Sequence, residues 1–138
     1  MIKAIMGLKG SGKTKALADM ANQAVAQSRG NVVYIEKGKT LMFDINHKAR
    51  LVNIDDYGIS DYEGLYGFLA GLVAGNHDIT DVFIDSVTKI CTYDISDIEA
   101  FLIKADALSK LDDTNITVTI SGDAAEATDG IRKYLIEI

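Results

Sequence analysis

Residues 2–14, IKAIMGLKGSGKT, constrain the fold of this chain more than any other stretch. The apolar run IKAIM (2–6) has the pattern of a short buried strand. The octapeptide GLKGSGKT (7–14) follows, and KTKALADMANQAVAQS (13–28) then repeats Leu17, Met20, Ala21, Ala24 and Val25 at helical spacing. GLKGSGKT matches the pattern Gly, any four residues, Gly-Lys-Thr in full, at Gly7, Gly12, Lys13 and Thr14. Side chains at Gly7, Gly10 or Gly12 would obstruct a loop that wraps a diphosphate with its backbone N–H groups turned inward. The Lys13 ammonium would reach the β- and γ-phosphates, the Thr14 hydroxyl would ligate Mg²⁺, and the helix start adds partial positive charge. The expected nucleotide-binding residues are therefore Gly7, Leu8, Lys9, Gly10, Ser11, Gly12, Lys13, Thr14 and Lys15.

The rest of the chain alternates strand-like and helix-like stretches. Strands are expected at 31–36 (NVVYIE), 50–54 (RLVNI), 81–87 (DVFIDSV) and 115–121 (NITVTIS). Gly30 stands where a helix C-cap glycine belongs, and Ser60 with Glu63 has the form of a capping box opening a helix over 61–75. Asp94 or Ser96 caps an amphipathic helix over 95–111, with Ile98, Phe101, Leu102, Ala105 and Leu108 on one face. The stretch 37–48 is irregular, with a short hairpin or helical turn expected in it. KLDDTN (110–115) reads as a solvated helix-end turn, and the tail is helical or mixed. Strands separated by helices imply right-handed crossovers and a mostly parallel sheet of about five strands, in a three-layer α/β/α fold forming one domain over 1–138.

Composition narrows the function. With 138 residues, 48% of them apolar and 25% charged, one domain with a real core is expected and disorder is not. A net charge of −6 has the wrong sign for wholesale nucleic-acid binding, and the eleven lysines and three arginines are scattered apart from Lys9, Lys13 and Lys15. The longest apolar-leaning run (65–75) is well short of the roughly 18 to 20 residues that span a bilayer. No signal-peptide pattern opens the chain, and a single cysteine, Cys91, fits a reducing compartment, so a cytoplasmic location is expected. A lone Cys91 without a nearby histidine reads as a small buried hydrophobe; His47 and His77 read as loop or surface residues.

An acid at the end of a buried strand would complete the metal site, and DVFIDSV supplies Asp85 after Val82, Phe83 and Ile84. With these residues in place, the whole chain resembles a minimal P-loop NTPase domain, and two details resemble its RecA-like branch. FIDSV is similar to the acid-serine-valine stretch that closes this strand in RecA proteins, and the strand after the first helix ends in Glu36. The resemblance implies ATP and Mg²⁺ as ligands, Thr14 and Asp85 as metal-binding residues and Glu36 as the residue that polarises the attacking water. It also implies Ser121 as a sensor at the tip of the strand flanking the loop-bearing strand. The chain is further similar to small stand-alone bacterial P-loop proteins labelled twitching-motility (PilT-like) ATPases, although the histidine- and aspartate-rich boxes of secretion ATPases are not found in it.

The expected activity is an ATPase, or an ATP-dependent switch, with slow stand-alone hydrolysis; a homo-oligomer or protein partner would supply the missing cation. Arg132 and Lys133, in the tail, are the candidates for acting on a neighbour's nucleotide. Two alternatives stay open. A GTP-binding switch would use DDYG (55–58), but Asn-Lys-x-Asp is missing and its nearest approach, IKAD (103–106), lies inside a helical pattern. A small-molecule kinase would need an arginine-bearing lid, whereas Arg29, Arg50 and Arg132 are isolated. Gly64, Gly67, Gly71 and Gly75 share one helical face, which suggests tight packing on the chain's own sheet or, failing that, a contact surface.

Overall fold

The computed structural model describes residues 1–41 and 43–138; within the irregular stretch expected at 37–48, Met42 lies outside the described residues. Five strands form one parallel sheet: β1 (Ile2–Gly7), β2 (Asn31–Glu36), β3 (Arg50–Asn53), β4 (Ile79–Ile84) and β5 (Asn115–Ser121), in the order β1-β5-β4-β2-β3. The inner strands are buried almost end to end, as a sheet covered on both faces requires. Four helices lie between them, α1 (Lys13–Gln27), α2 (Tyr62–Gly75), α3 (Val87–Ile90) and α4 (Ile95–Leu111), and a fifth, α5 (Asp129–Arg132), follows β5.

The direction of the crossovers decides which helix covers which face. From β1 the chain passes over two strands to β2, with α1 between them; from β3 it returns past β2 to β4, with α2 between. A reversed direction with the same hand puts the second helix on the opposite face. Leu17, Ala18 and Ala21 of α1 accordingly pack with Val32, Tyr34 and Phe83, while Leu65, Leu69 and Val73 of α2 and Ile98, Phe101 and Leu102 of α4 pack with Val33, Ile35, Val82 and Ile84. Alternate residues of β2 and β4 thus serve two cores, an arrangement compatible with the expected three layers. Each fully buried Leu or Ile contributes ~1.5–3 kcal/mol of transfer free energy.

Five local expectations are corrected. α2 is capped by Asp61, whose carboxylate accepts from Gly64 N at 2.7 Å, and not by Ser60, which is one residue too early to reach the first-turn N–H groups. α1 ends at Ser28 in extended conformation, and Gly30 is not in the left-handed region. It is small because a Cβ there would run into the Asp78 carbonyl, to which Asn31 N donates at 2.7 Å. β4 starts at Ile79 and stops at Ile84, because the backbone turns at Ser86 (φ 58°) into α3. Gly67, Gly71 and Gly75 are exposed, since Leu65, Leu69 and Val73 form the packed face of α2; a Cβ on any of the three would meet nothing within 4 Å. In KLDDTN the turn is solvated at Asp112 and Asp113, but Thr114 is fully buried, its hydroxyl donating to Ile79 O at 3.3 Å.

The tail is mixed. After α5, Tyr134 O accepts from Ala4 N and Ile136 N donates to Ala4 O, both at 2.9 Å, so the tail runs parallel along the outer edge of β1. That pairing covers an edge that would otherwise be open. Among the described residues no helix is long and apolar enough to cross a membrane.

Candidate functional site

β1 ends at Gly7, residues 8–12 form a loop, and α1 starts at Lys13 with no side-chain cap and no acid in its first turn. Two of the loop glycines are required by conformation. Gly10 (φ 85°) and Gly12 (φ 89°) lie in the left-handed region, with open space where a Cβ would be. Gly7 is required by a close approach: a Cβ there would come within 2.7 Å of Ser11 Oγ. The Lys13 side chain is buried against this loop, its Nζ donating to Leu8 O at 2.9 Å and to Ser11 Oγ at 3.5 Å. Burial lowers the Lys13 pKa below its usual value; Asp85 pulls it back up and Lys89 pushes it further down.

Asp85 follows β4 directly, anchored by its N–H to Ile35 O at 2.8 Å. Its Oδ1 accepts from Thr14 Oγ1 at 3.3 Å and from Thr119 Oγ1 at 3.0 Å. Thr119 in turn accepts from Ser86 N at 2.6 Å, so one buried hydroxyl on β5 fixes both the carboxylate and the turn behind it. The sheet makes this convergence: β5 lies between β1 and β4 and pairs Gly7 with Ser121, so the ends of all three strands stand together. Ligand crevices of open α/β sheets lie at this carboxyl end.

A cavity of about 310 Å³ opens there. Its charge is the opposite of the chain's: Lys9, Lys13, Lys15 and Lys89 line it against one acid, Asp85, in a protein of net charge −6. Gly10, Gly12 and Thr14 line it as well, and Ser121 reaches it from β5, its N–H donating to Thr88 Oγ1 at 3.2 Å. Leu8 takes part through its carbonyl, and its side chain is exposed. Sequence reasoning missed Lys89, Thr119 and Ser86. Lys89 was hidden by reading 81–87 as strand, whereas the helical turn at 87–90 brings it back over the loop. Thr119 was legible in principle, standing two residues before Ser121 on a period-2 strand.

Glu36 is placed elsewhere. It is buried at the end of β2, and Oε1 accepts from Thr40 N at 2.6 Å, Thr40 Oγ1 at 3.2 Å and Leu41 N at 3.4 Å. It lines a separate cavity of about 290 Å³ with Arg50, Asn53, Asp56 and Tyr57. Buried side-chain oxygens without a hydrogen-bond partner among the described residues are Tyr34 OH, Glu36 Oε2 and Ser86 Oγ. All three belong to the C-terminal ends of β2 and β4. Burial, then Asp85, then Glu36, raises the Tyr34 pKa well above the usual tyrosine value.

The remaining candidates stay apart. Arg132 is exposed, 4.0 Å from Asp129, and Lys133 lies 5.0 Å over the Tyr134 ring. Asp55 and Asp56 sit exposed in a 3₁₀ turn, and Asp106 of IKAD is tied within α4 to Lys110 at 3.1 Å. His47 and His77 are exposed and Cys91 is buried, as expected of them. No family model and no curated protein matches the chain.

Proposed function

We propose that the chain is a P-loop domain of RecA-like type that binds ATP with Mg²⁺ through residues 7–15, Thr14 and Asp85. The observation that carries this reading is the convergence of Lys13, Thr14 and Asp85 on one lysine-lined cavity at the start of α1. Four ammonium groups and the N-terminus of a fifteen-residue helix suit a polyanion. The residues also fit Mg²⁺, which prefers oxygen donors: the Thr14 hydroxyl and the Asp85 carboxylate are 3.3 Å apart, and Thr119 holds the carboxylate in place. When bound, the metal would neutralise charge on the terminal phosphates. The position of β5 beside β1, with Ser121 opposite Gly7, supports the sensor role that the resemblance implies for Ser121.

Lys13 leaves Leu8 O for the terminal phosphates, and the negative charge there restores the pKa that burial has lowered. Hydrolysis by the chain alone is slow in this reading, well below the roughly 1–100 s⁻¹ of dedicated phosphoryl-transfer enzymes. The cavity is lined by lysines and no arginine, and Glu36 must first give up the loop amides it holds. An oligomer or protein partner would then supply the missing cation, and the setting would be cytoplasmic.

Thermal unfolding with Mg-ATP tests the reading. Binding stabilises by RT ln(1 + [L]/Kd), about 2.7 kcal/mol at hundredfold saturation, and Lys13→Ala removes most of that shift. An equal shift in the Lys13→Ala protein would overturn the phosphate pose.

A further inference from the structure

A second cavity, of about 490 Å³, lies on the other side of Lys13. One wall is the end of β1 and the loop, through Ile5, Met6 and Ser11; the other is the tail, from Leu135 to Ile138, with Ala124 near the rim. The tail runs in the same direction as β1, so the residues after Ile136 rise to the level of the loop. Lys13 lines both cavities, and neither the cavity between α2 and α4 nor the one beside Glu36 shares a lining residue with the loop cavity.

The two adjoining cavities differ in chemistry. The first presents four ammonium groups. The second presents the apolar side chains of Ile5, Met6, Leu135, Ile136 and Ile138, with the Glu137 carboxylate among them. A nucleotide is divided in the same way, into a polyanion and a flat heterocycle with apolar faces and N–H groups on its edge. We propose that the tail-side cavity is the subsite for the purine base of the nucleotide whose phosphates the loop holds; the inference rests on the phosphate-loop reading above. Its volume falls in the ~300–1,000 Å³ range of small-molecule sites. The aliphatic side chains and Met6 lie against the faces of the ring, a role suited to methionine's adaptable shape. Glu137 accepts a hydrogen bond from an edge N–H, the kind of directed polar contact that supplies discrimination within an apolar pocket.

Calorimetric titration with Mg-ATP and, separately, with magnesium tripolyphosphate tests the proposal, because the second probe has the phosphates and no base. Ala124→Trp places a large side chain at the cavity rim from an exposed position, and Glu137→Gln alters an exposed side chain, so neither change disturbs the core. The ratio of ATP to tripolyphosphate affinity is expected to fall about tenfold or more in Ala124→Trp and a few-fold in Glu137→Gln, with tripolyphosphate binding unchanged. A ratio unchanged in both variants, or an equal loss for both ligands, overturns the base subsite while leaving the phosphate loop standing. If the unaltered protein binds neither ligand, the phosphate-loop reading itself falls, and this inference with it.

Discussion

Replacing Glu36 separates two roles that the sequence merges. In the structure its carboxylate closes the chain after β2: Oε1 accepts from Thr40 N at 2.6 Å, Thr40 Oγ1 at 3.2 Å and Leu41 N at 3.4 Å, and the side chain is 3% exposed. A hydrogen bond to a charged group is worth ~1.5–3 kcal/mol. The short bond to Thr40 N dominates and the two longer ones add little, while Oε2, which lacks a partner, offsets part of the gain. Glu36→Ala is therefore expected to cost ~2–3 kcal/mol. With ~2.1 cal/mol/K per residue over 138 residues, unfolding entropy near the midpoint is ~0.3 kcal/mol/K, so Tm falls by ~7–10 °C. Glu36→Gln keeps an acceptor where Oε1 stands and exchanges one unpartnered buried group for another, so the loss stays within ~1 kcal/mol, or ~3 °C. Circular-dichroism melts give both shifts, and amide exchange at Thr40 should speed up in the alanine variant alone. An alanine protein melting within ~2 °C of wild type, or a glutamine protein melting as low as the alanine one, would refute the reasoning. The glutamine variant then also tests the proposed role of Glu36 in polarising water: it retains the loop and removes the carboxylate.

Thr119→Val removes the hydroxyl that joins Ser86 N to Asp85 Oδ1, leaving a buried N–H unpaired at ~1–3 kcal/mol; denaturant titration should show that loss, and the Mg²⁺ dependence of ATP binding should weaken with it. Gly30→Ala should destabilise by ~1–3 kcal/mol although its backbone is unstrained, because the new methyl overlaps the Asp78 carbonyl and pushes β2 from β4; a stability equal to wild type would show that the edge yields freely. Burial, then Asp61, pushes the Cys91 thiol from 9.0 up to about 11. The folded state then keeps a proton that the unfolded chain gives up, so stability present below pH 9 is lost as pH rises toward 11, with a ceiling of ~2.7 kcal/mol. Cys91→Ala should flatten the difference between pH 8 and pH 11 melts relative to wild type, and equal slopes would remove Cys91 as the cause.

Most of the strands and long helices, and the loop, were legible in the chain alone. GLKGSGKT between an apolar strand and a periodic helix needs no tertiary information, because left-handed turns at Gly10 and Gly12 and the helix start at Lys13 are local properties of the chain. Asp85 was legible as the polar end of an apolar run. What stood beside it was not: the order β1-β5-β4-β2-β3 brings β5 between the loop strand and the acid strand, and only then does Thr119 bond Asp85 and Ser121 line the same cavity as Thr14. The turn at Ser86 is also a tertiary matter, since Thr119, 33 residues away, holds its N–H in a backbone conformation a serine rarely adopts, and through that turn Lys89 joins the site. Glu36 shows the converse. The end of a strand told where its backbone stood, but its carboxylate answered the nearest unpaired amides, those of Thr40 and Leu41, which no strand pattern displays. Local propensity fixes where a chain turns; which polar groups then satisfy one another depends on strands and loops far apart in sequence, and that is decided only when the sheet closes.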